Sequence, residues 1–218
     1  MARNNHPEVT VNRILDVASK LFFEKGYEHT SIQDIIDNLG GLSKGAIYHH
    51  FKSKEDIMLA VINRMYSDQD ADWLKLLRDN SGLTGIEKLR AAFQQSLDNP
   101  RQNDMFSSAP DMLANSKMLT LMLKDIMEDS APNYISPIIE QGRADGTIPT
   151  DYPLEMAQVV LILANLWLNP MVLHAGTEDM QRRFLFFRQL MSGLGADIFD
   201  NELLARLQEL TAMYEQNR

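Results

Sequence analysis

The chain has 218 residues, a formal net charge of −9 and no cysteine. That length suits one or two domains with a real core, and the missing cysteine excludes disulfides, thiolate zinc sites and cysteine nucleophiles together. Met1–Pro7 is polar and lacks the apolar centre of a secretory signal, and the longest apolar run, Val159–Leu168, is interrupted by Asn165 and falls well short of the roughly 20 residues that span a bilayer. The expectation is a cytoplasmic protein with no membrane span.

Charge is uneven along the chain. Residues 1–55 hold 7 Lys/Arg and 7 Asp/Glu, whereas residues 56–218 hold 14 and 23, so the whole excess of acid lies in the second part. Asn38–Lys54 contains no acid but carries Lys44, His49, His50, Lys52 and Lys54. A phosphate backbone responds to such a local field rather than to net charge, although a solvated surface run has the same composition.

The first element is a helix from Val9 to Lys25, where Ile14, Val17, Ala18, Leu21 and Phe22 draw one apolar stripe and Gly26 ends it. Thr30 with Gln33 reads as a capping box for a second helix, whose buried face is Ile32, Ile35, Ile36 and Leu39. Gly40 and Gly41 break it. Ser43 caps a third helix, Lys44–His50, and Ser53 with Asp56 caps a fourth that starts at Lys54 and runs past Met65. Three short helices with a glycine turn between the second and third describe a helix-turn-helix.

In the third helix Leu42, Ile47 and Phe51 face the core, leaving Lys44, Gly45, Tyr48 and His49 outside. Glycine allows close backbone approach to DNA, lysine reaches base edges or phosphate, and tyrosine and histidine donate to phosphate oxygens. Tyr48 as a packing residue, His50 as an internal cap and Lys52 as a solvated lysine are the alternatives.

Phe22, Gly26 and Thr30-Ser31-Ile32, followed by Leu42-Ser43-Lys44-Gly45-Ala46-Ile47-Tyr48-His49-His50-Phe51-Lys52-Ser53-Lys54-Glu55, resemble the DNA-binding domain of the TetR family of transcriptional regulators. The resemblance covers roughly residues 8–68. It implies that Lys44, Gly45 and Ala46 lie at the bases, that Ser43 is among the DNA-binding residues, and that Thr30, Ser31, Tyr48, His49, His50 and Lys54 hold phosphates, Lys54 acting with the positive end of the fourth helix. Asp37–Leu42 is one residue longer than the commonest family turn, which bears on the angle between the second and third helices.

The acidic remainder, residues 69–218, reads as helical throughout, so the fold class is all-α: a helix-turn-helix domain followed by a larger helical bundle. Helices are expected over Ile86–Leu97, Met112–Met127, Leu154–Leu173 and Asp179–Leu194, with Pro132 and Tyr134 leading into a further one that ends near Gln141-Gly142, and turns at Ser81–Gly85 and Asp145–Pro149. The last two helices are apolar on two sides. One face of each, including Phe187, is therefore expected to meet a second copy, and the resemblance likewise implies a homodimer through residues 154–173 and 179–194. Central core helices of a monomer would give the same pattern.

Thirteen methionines are many for this length. Met105, Met112, Met118, Met122 and Met127, with Phe106, Phe93, Trp73 and Trp167, suit an adaptable cavity for a small apolar or amphipathic effector. Asn165, Asn169 and His174 are its candidate polar anchors. Each of these residues also reads as ordinary core or a satisfied interface group. No phosphate loop, nucleophile elbow, paired-carboxylate motif or metal-ligand spacing is present, so neither catalysis nor a cofactor is expected. The sequence reads as a ligand-responsive regulator, most simply a repressor of double-stranded operator DNA; the alternative is a helical ligand-binding or interaction protein without a DNA function.

Overall fold

The structure is a computed structural model that describes residues 7–41, 44–65, 75, 77–80, 82–100, 103, 106–107, 111–113 and 116–217. Its regular elements are helical. The N-terminal four are α1 (Pro7–Lys25), α2 (Ile32–Asn38), α3 (Lys44–His50) and α4 (Lys54–Met65). Then come α5 (Gly85–Asp98), α6 (Ser116–Asp125), α7 (Ser136–Asp145), α8 (Pro153–Ile162), the short α9 (Pro170–Leu173), α10 (Thr177–Gly193) and α11 (Asn201–Asn217).

The ends of these helices follow from side-chain chemistry. Gly26 terminates α1 with φ +81°. The cap of α2 is Ser31 rather than Thr30: Ser31 Oγ accepts the Asp34 N–H at 3.0 Å, and Asp34 Oδ2 accepts the Ser31 N–H at 2.7 Å. The box sits one residue later than the sequence suggested because Thr30 is drawn inward, its hydroxyl bonded to the carbonyls of Leu21 and Gly26. Between α2 and α3, Gly40 and Gly41 have φ of +60° and +105°. Two consecutive residues in the left-handed region, open at low cost only to glycine, absorb the longer turn.

Two expected breaks fall elsewhere. Pro132 does not open a helix, because α6 and α7 are joined by a π-helical segment, Ile126–Ile135, that contains it. The wider winding accommodates a residue that has no N–H and would crowd the preceding turn of an α-helix. Conversely, the helix expected over 154–173 is divided. α8 passes into a π-helical segment, Leu163–Trp167, and the chain restarts at Pro170, where Asn169 Oδ1 accepts the Met171 N–H at 3.0 Å. Beyond residue 194 the structure adds α11, which buries Leu203, Leu210, Thr211 and Tyr214. Its Glu215 carboxylate accepts the Thr177 N–H, capping α10, whose own N-cap is the side-chain-free Gly176.

Packing forms two apolar cores. One joins Ile14, Phe22, Ile35, Ile47, Ile57 and Met58 of the N-terminal helices to Phe106, Met112, Met118, Met122, Met171 and Tyr214. The other gathers Leu89, Ile138, Ile139, Val160, Phe184, Phe187 and Phe199. The N-terminal helices are therefore seated on the bundle through α4 and α6, with Lys117 Nζ 2.6 Å from Glu55 Oε1 at the edge of that contact. Within the second core lies a charged residue, Lys88, only 1% exposed. Its ammonium donates to the Arg78 carbonyl and to Gln141 Oε1, and the Gln141 amide donates to the Leu83 carbonyl, so the approach to α5 is fastened to α7.

Candidate nucleic-acid interface and effector region

α3 is held by one deeply buried residue, Ile47, and turns the rest of its surface outward. Lys44, Gly45, Tyr48 and His49 are exposed, while Ala46 and His50 are half-buried. Lys44 Nζ lies 5.8 Å from the Tyr48 ring centroid one turn along, so the two side chains share a face. The His49 and His50 rings meet edge-on at 5.0 Å. Ser43 lies outside the described residues.

The flanking residues assigned to phosphates are placed differently from one another. Ser31 is exposed at the start of α2, and its hydroxyl donates to Asp34, whose carboxyl is held below the usual carboxylate range by that bond and by the Ser31 N–H. Thr30 is 1% exposed with its hydroxyl committed to the carbonyls of Leu21 and Gly26, so that hydroxyl is turned inward rather than toward a phosphate outside. Lys54 donates to the Tyr27 carbonyl at 2.7 Å and lies 4.0 Å over the Tyr27 ring. This bond braces α4 against the end of α1 and directs the charge away from solvent. The N-terminus of α4 is likewise occupied: Glu55 and Asp56 stand in its first turn, Ser53 Oγ takes the Asp56 N–H at 3.0 Å, and Asp56 takes the Lys52 N–H at 2.9 Å. Carboxylates there offset the positive end that was expected to attract an anion.

The residues proposed for an effector fall into separate groups. Phe106, Met112, Met118 and Met122 come together in the first core, and Asn169 joins them, its amide 3.6 Å from Met112 Sδ. Phe93 packs instead in the second core, against Phe199 at 5.6 Å. Trp167 meets Phe186 edge-on at 5.9 Å with Arg183 over its ring, at the outward side of α10. Met127 is 41% exposed and points away from the interior. The Asn165 amide is spent on the Leu161 carbonyl at 2.9 Å, and His174 Nε2 pairs with Asp111 at 3.0 Å in a left-handed backbone conformation. Trp73 and Met105 lie outside the described residues.

On α10 the two aromatic neighbours part company. Phe187 is fully buried against Phe199 at 5.0 Å, so it belongs to the core and not to an interface as the sequence suggested. Phe186 and Leu185 are the exposed pair, at 55% and 53%, with Val159 of α8 at 48%. No helix among the described residues is long and apolar enough to cross a membrane.

Comparison with known proteins agrees with this arrangement. Residues 14–61 match the family model for bacterial regulatory proteins of the TetR family, and residues 96–190 match the tetracyclin repressor-like C-terminal domain. The chain is 39% identical over 64 residues to the transcriptional regulator QacR of Staphylococcus aureus, a match that spans 29% of this chain and only 34% of that protein. It is 27% identical over 155 residues to the transcriptional repressor KstR2 of Rhodococcus jostii, covering 66% of this chain and 70% of the relative. Among solved structures, a gamma-butyrolactone receptor described as ArpA-like shares the fold, with a TM-score of 0.53 at 19% identity over 98% of this chain and 99% of that one. With a helix-turn-helix at its N-terminus, an all-helical bundle behind it and family models matching both, the chain belongs to the TetR family of transcriptional regulators.

Proposed function

We propose that the protein is a homodimeric repressor acting on cytoplasmic DNA, which holds a two-fold operator through α3 and releases it when a small apolar or amphipathic effector binds the helical domain, with the division at residues 68/69. The observation that carries the reading is the outward face of α3, where Lys44, Gly45, Tyr48 and His49 stand exposed over the single anchor Ile47 in a stretch without acids. Lys44 and the backbone at Gly45 and Ala46 meet bases, while Tyr48, His49, His50 and Ser31 hold phosphates. Ser31 exchanges its Asp34 partner for phosphate in doing so.

Dimerisation is assigned to the outward side of α8 and α10, within residues 154–173 and 179–194. Leu185, Phe186 and Val159 are exposed there, beside a shallow groove lined by Leu185, Arg188, Gln189, Ser192 and Gly193. A two-fold pair places its α3 helices about 34–36 Å apart, one turn of DNA. For the effector, the methionine group of Phe106, Met112, Met118 and Met122 with Asn169 is the favoured lining, since thioethers adapt to varied apolar shapes. A protein of the same fold is a gamma-butyrolactone receptor, so the architecture admits a small-molecule ligand. The effector acts by favouring helix positions that no longer match the groove spacing, to the extent of its differential affinity.

Three measurements test the DNA side. Lys44→Ala is expected to weaken operator binding by about 1–3 kcal/mol, roughly fivefold to more than a hundredfold, with the thermal midpoint unchanged because the side chain is exposed. Equal affinity of the variant in a fluorescence titration removes the assignment of α3. In a salt series, log K should fall by about 0.9 for each phosphate neutralised, and Tyr48→Phe should weaken all duplexes alike. A salt-independent affinity is incompatible with phosphate anchoring.

A further inference from the structure

α6, the π-helical segment and α7 form one continuous rod, Ser116–Asp145, fastened to different parts of the molecule at its two ends. At the first end Lys117 pairs with Glu55 of α4 at 2.6 Å, and Met118 and Met122 share a core with Met58 of α4. At the other end α7 is bolted to α5: Asp145 Oδ2 accepts the Gly85 N–H at 2.7 Å, and Gly85 lies directly on the backbone of Gly142. The change of winding lies between the two attachments, along Ile126–Ile135, where α8 packs.

Two features hold that winding wide. The Pro132 ring would crowd the carbonyl of Glu128, four residues back, in an α-helical turn. Asp125 Oδ2 accepts the Ser130 hydroxyl at 2.6 Å, a pairing of residues five apart. Five steps round an α-helix leave two side chains about 140° apart, whereas i→i+5 winding stacks them, so this bond can form only in the wide register. The same spacing recurs in the backbone, where the Ser136 N–H reaches the Ala131 carbonyl. Burial pushes the Asp125 carboxyl up, so the group occupies this position at a cost that the Ser130 bond partly offsets. By contrast, Asn133 bonds Asp129 four residues away, a spacing that α-helical winding also allows.

We propose that the Ile126–Ile135 segment is a two-register joint, pinned wide by the Asp125–Ser130 bond and Pro132, whose tightening to α-helical winding turns α6 against α4 and so withdraws α3 from DNA. Each residue by which the register closes rotates α6 by about 100° and moves it about 1.5 Å along its axis, more than the Lys117–Glu55 contact can follow. The regulatory part of this proposal rests on the operator-binding reading given above; the existence of two registers does not.

Ser130→Ala/Pro132→Ala removes both pins and restores an N–H. Amide hydrogen exchange of residues 131–136 in the DNA-free protein should slow at least tenfold in this variant, and its operator affinity should fall at least tenfold while the thermal midpoint holds or rises. Ser130→Thr, which keeps the hydroxyl, and Asn133→Ala should each bind operator as the natural chain does. Unchanged exchange in the double variant overturns the joint whether or not the protein binds DNA. Slowed exchange with an affinity within threefold of the natural chain, or tighter, overturns its link to α3. If the natural chain itself binds no duplex, the operator-binding reading fails, and with it the proposed link to α3, while the exchange result still decides the registers.

Discussion

Phe186→Glu is expected to turn the protein into a folded monomer that has lost at least a hundredfold in operator affinity. Phe186 is 55% exposed on α10, and the adjacent Leu185, with Val159 on α8, leaves similar apolar surface open. In a dimer that closes over this surface, a carboxylate at position 186 loses its water, which costs several kcal/mol beyond what pairing with Arg182 or Arg183 of the same helix returns. Within one chain the substitution removes little more than the edge-on contact with Trp167, worth about 0.5–1.5 kcal/mol. A monomer presents a single helix-turn-helix and reads half a site, so DNA affinity falls although Lys44–Lys54 is untouched. Sedimentation equilibrium together with a duplex titration checks both parts. Phe187→Glu should behave differently, because that ring is fully buried against Phe199 and a charge there unfolds the chain. A Phe186→Glu protein that remains a dimer with undiminished affinity moves the interface elsewhere.

The second large effect concerns stability. A Cβ at Gly85 would stand 2.2 Å from the Gly142 Cα and N and 2.9 Å from the Ile138 carbonyl. These are backbone atoms, so no rotamer change relieves the overlap, and α5 must lift from α7. Lifting separates Leu89 from Ile138 and Ile139 in the second core. Alanine is the better helix former by at most about 1 kcal/mol, whereas overpacking costs typically about 1–3 kcal/mol, and an overlap with backbone atoms stands at the upper end. Overlap decides the sign, and Gly85→Ala should lose about 2–3 kcal/mol, lowering the thermal midpoint by roughly 5–10 °C. A midpoint equal to or above that of the natural chain would show that the two helices are not held at this distance.

How far the sequence speaks for itself depends on the range of the interactions. The helix-turn-helix was legible because its signals are local: an apolar stripe in α1, glycines at the turns, and an exposed Lys-Gly-Tyr-His surface around Ile47. The cap of α2 was misplaced by one residue because Thr30 and Ser31 are both competent caps, and only the fold brings the Leu21 carbonyl to the Thr30 hydroxyl. The bond from Lys54 to the Tyr27 carbonyl, 27 positions away in sequence, was likewise invisible to any local pattern. Periodicity groups Phe184, Phe187 and Met191 on one face of α10 but does not say whether that face meets the core or a partner; Phe199, from the segment between α10 and α11, settles it as core. The missed α11 did carry a signal. Leu203, Leu207, Leu210 and Tyr214 keep helical spacing behind Asp200, whose carboxylate takes the Leu203 N–H at 2.9 Å. Nothing local marked the Gly85–Gly142 crossing or the burial of Lys88, since both depend on helices more than fifty residues apart.

The most direct test of operator recognition is selection of duplexes from a random-sequence library by the full-length protein. A two-fold symmetric site should be enriched, with half-sites about 10–10.5 base pairs apart between centres, and Lys44→Ala should lose that enrichment while Phe186→Glu binds the selected site only weakly. Enrichment of no sequence, or of one that Lys44→Ala binds as well as the natural chain does, would contradict a dimeric operator-binding regulator that reads DNA through α3.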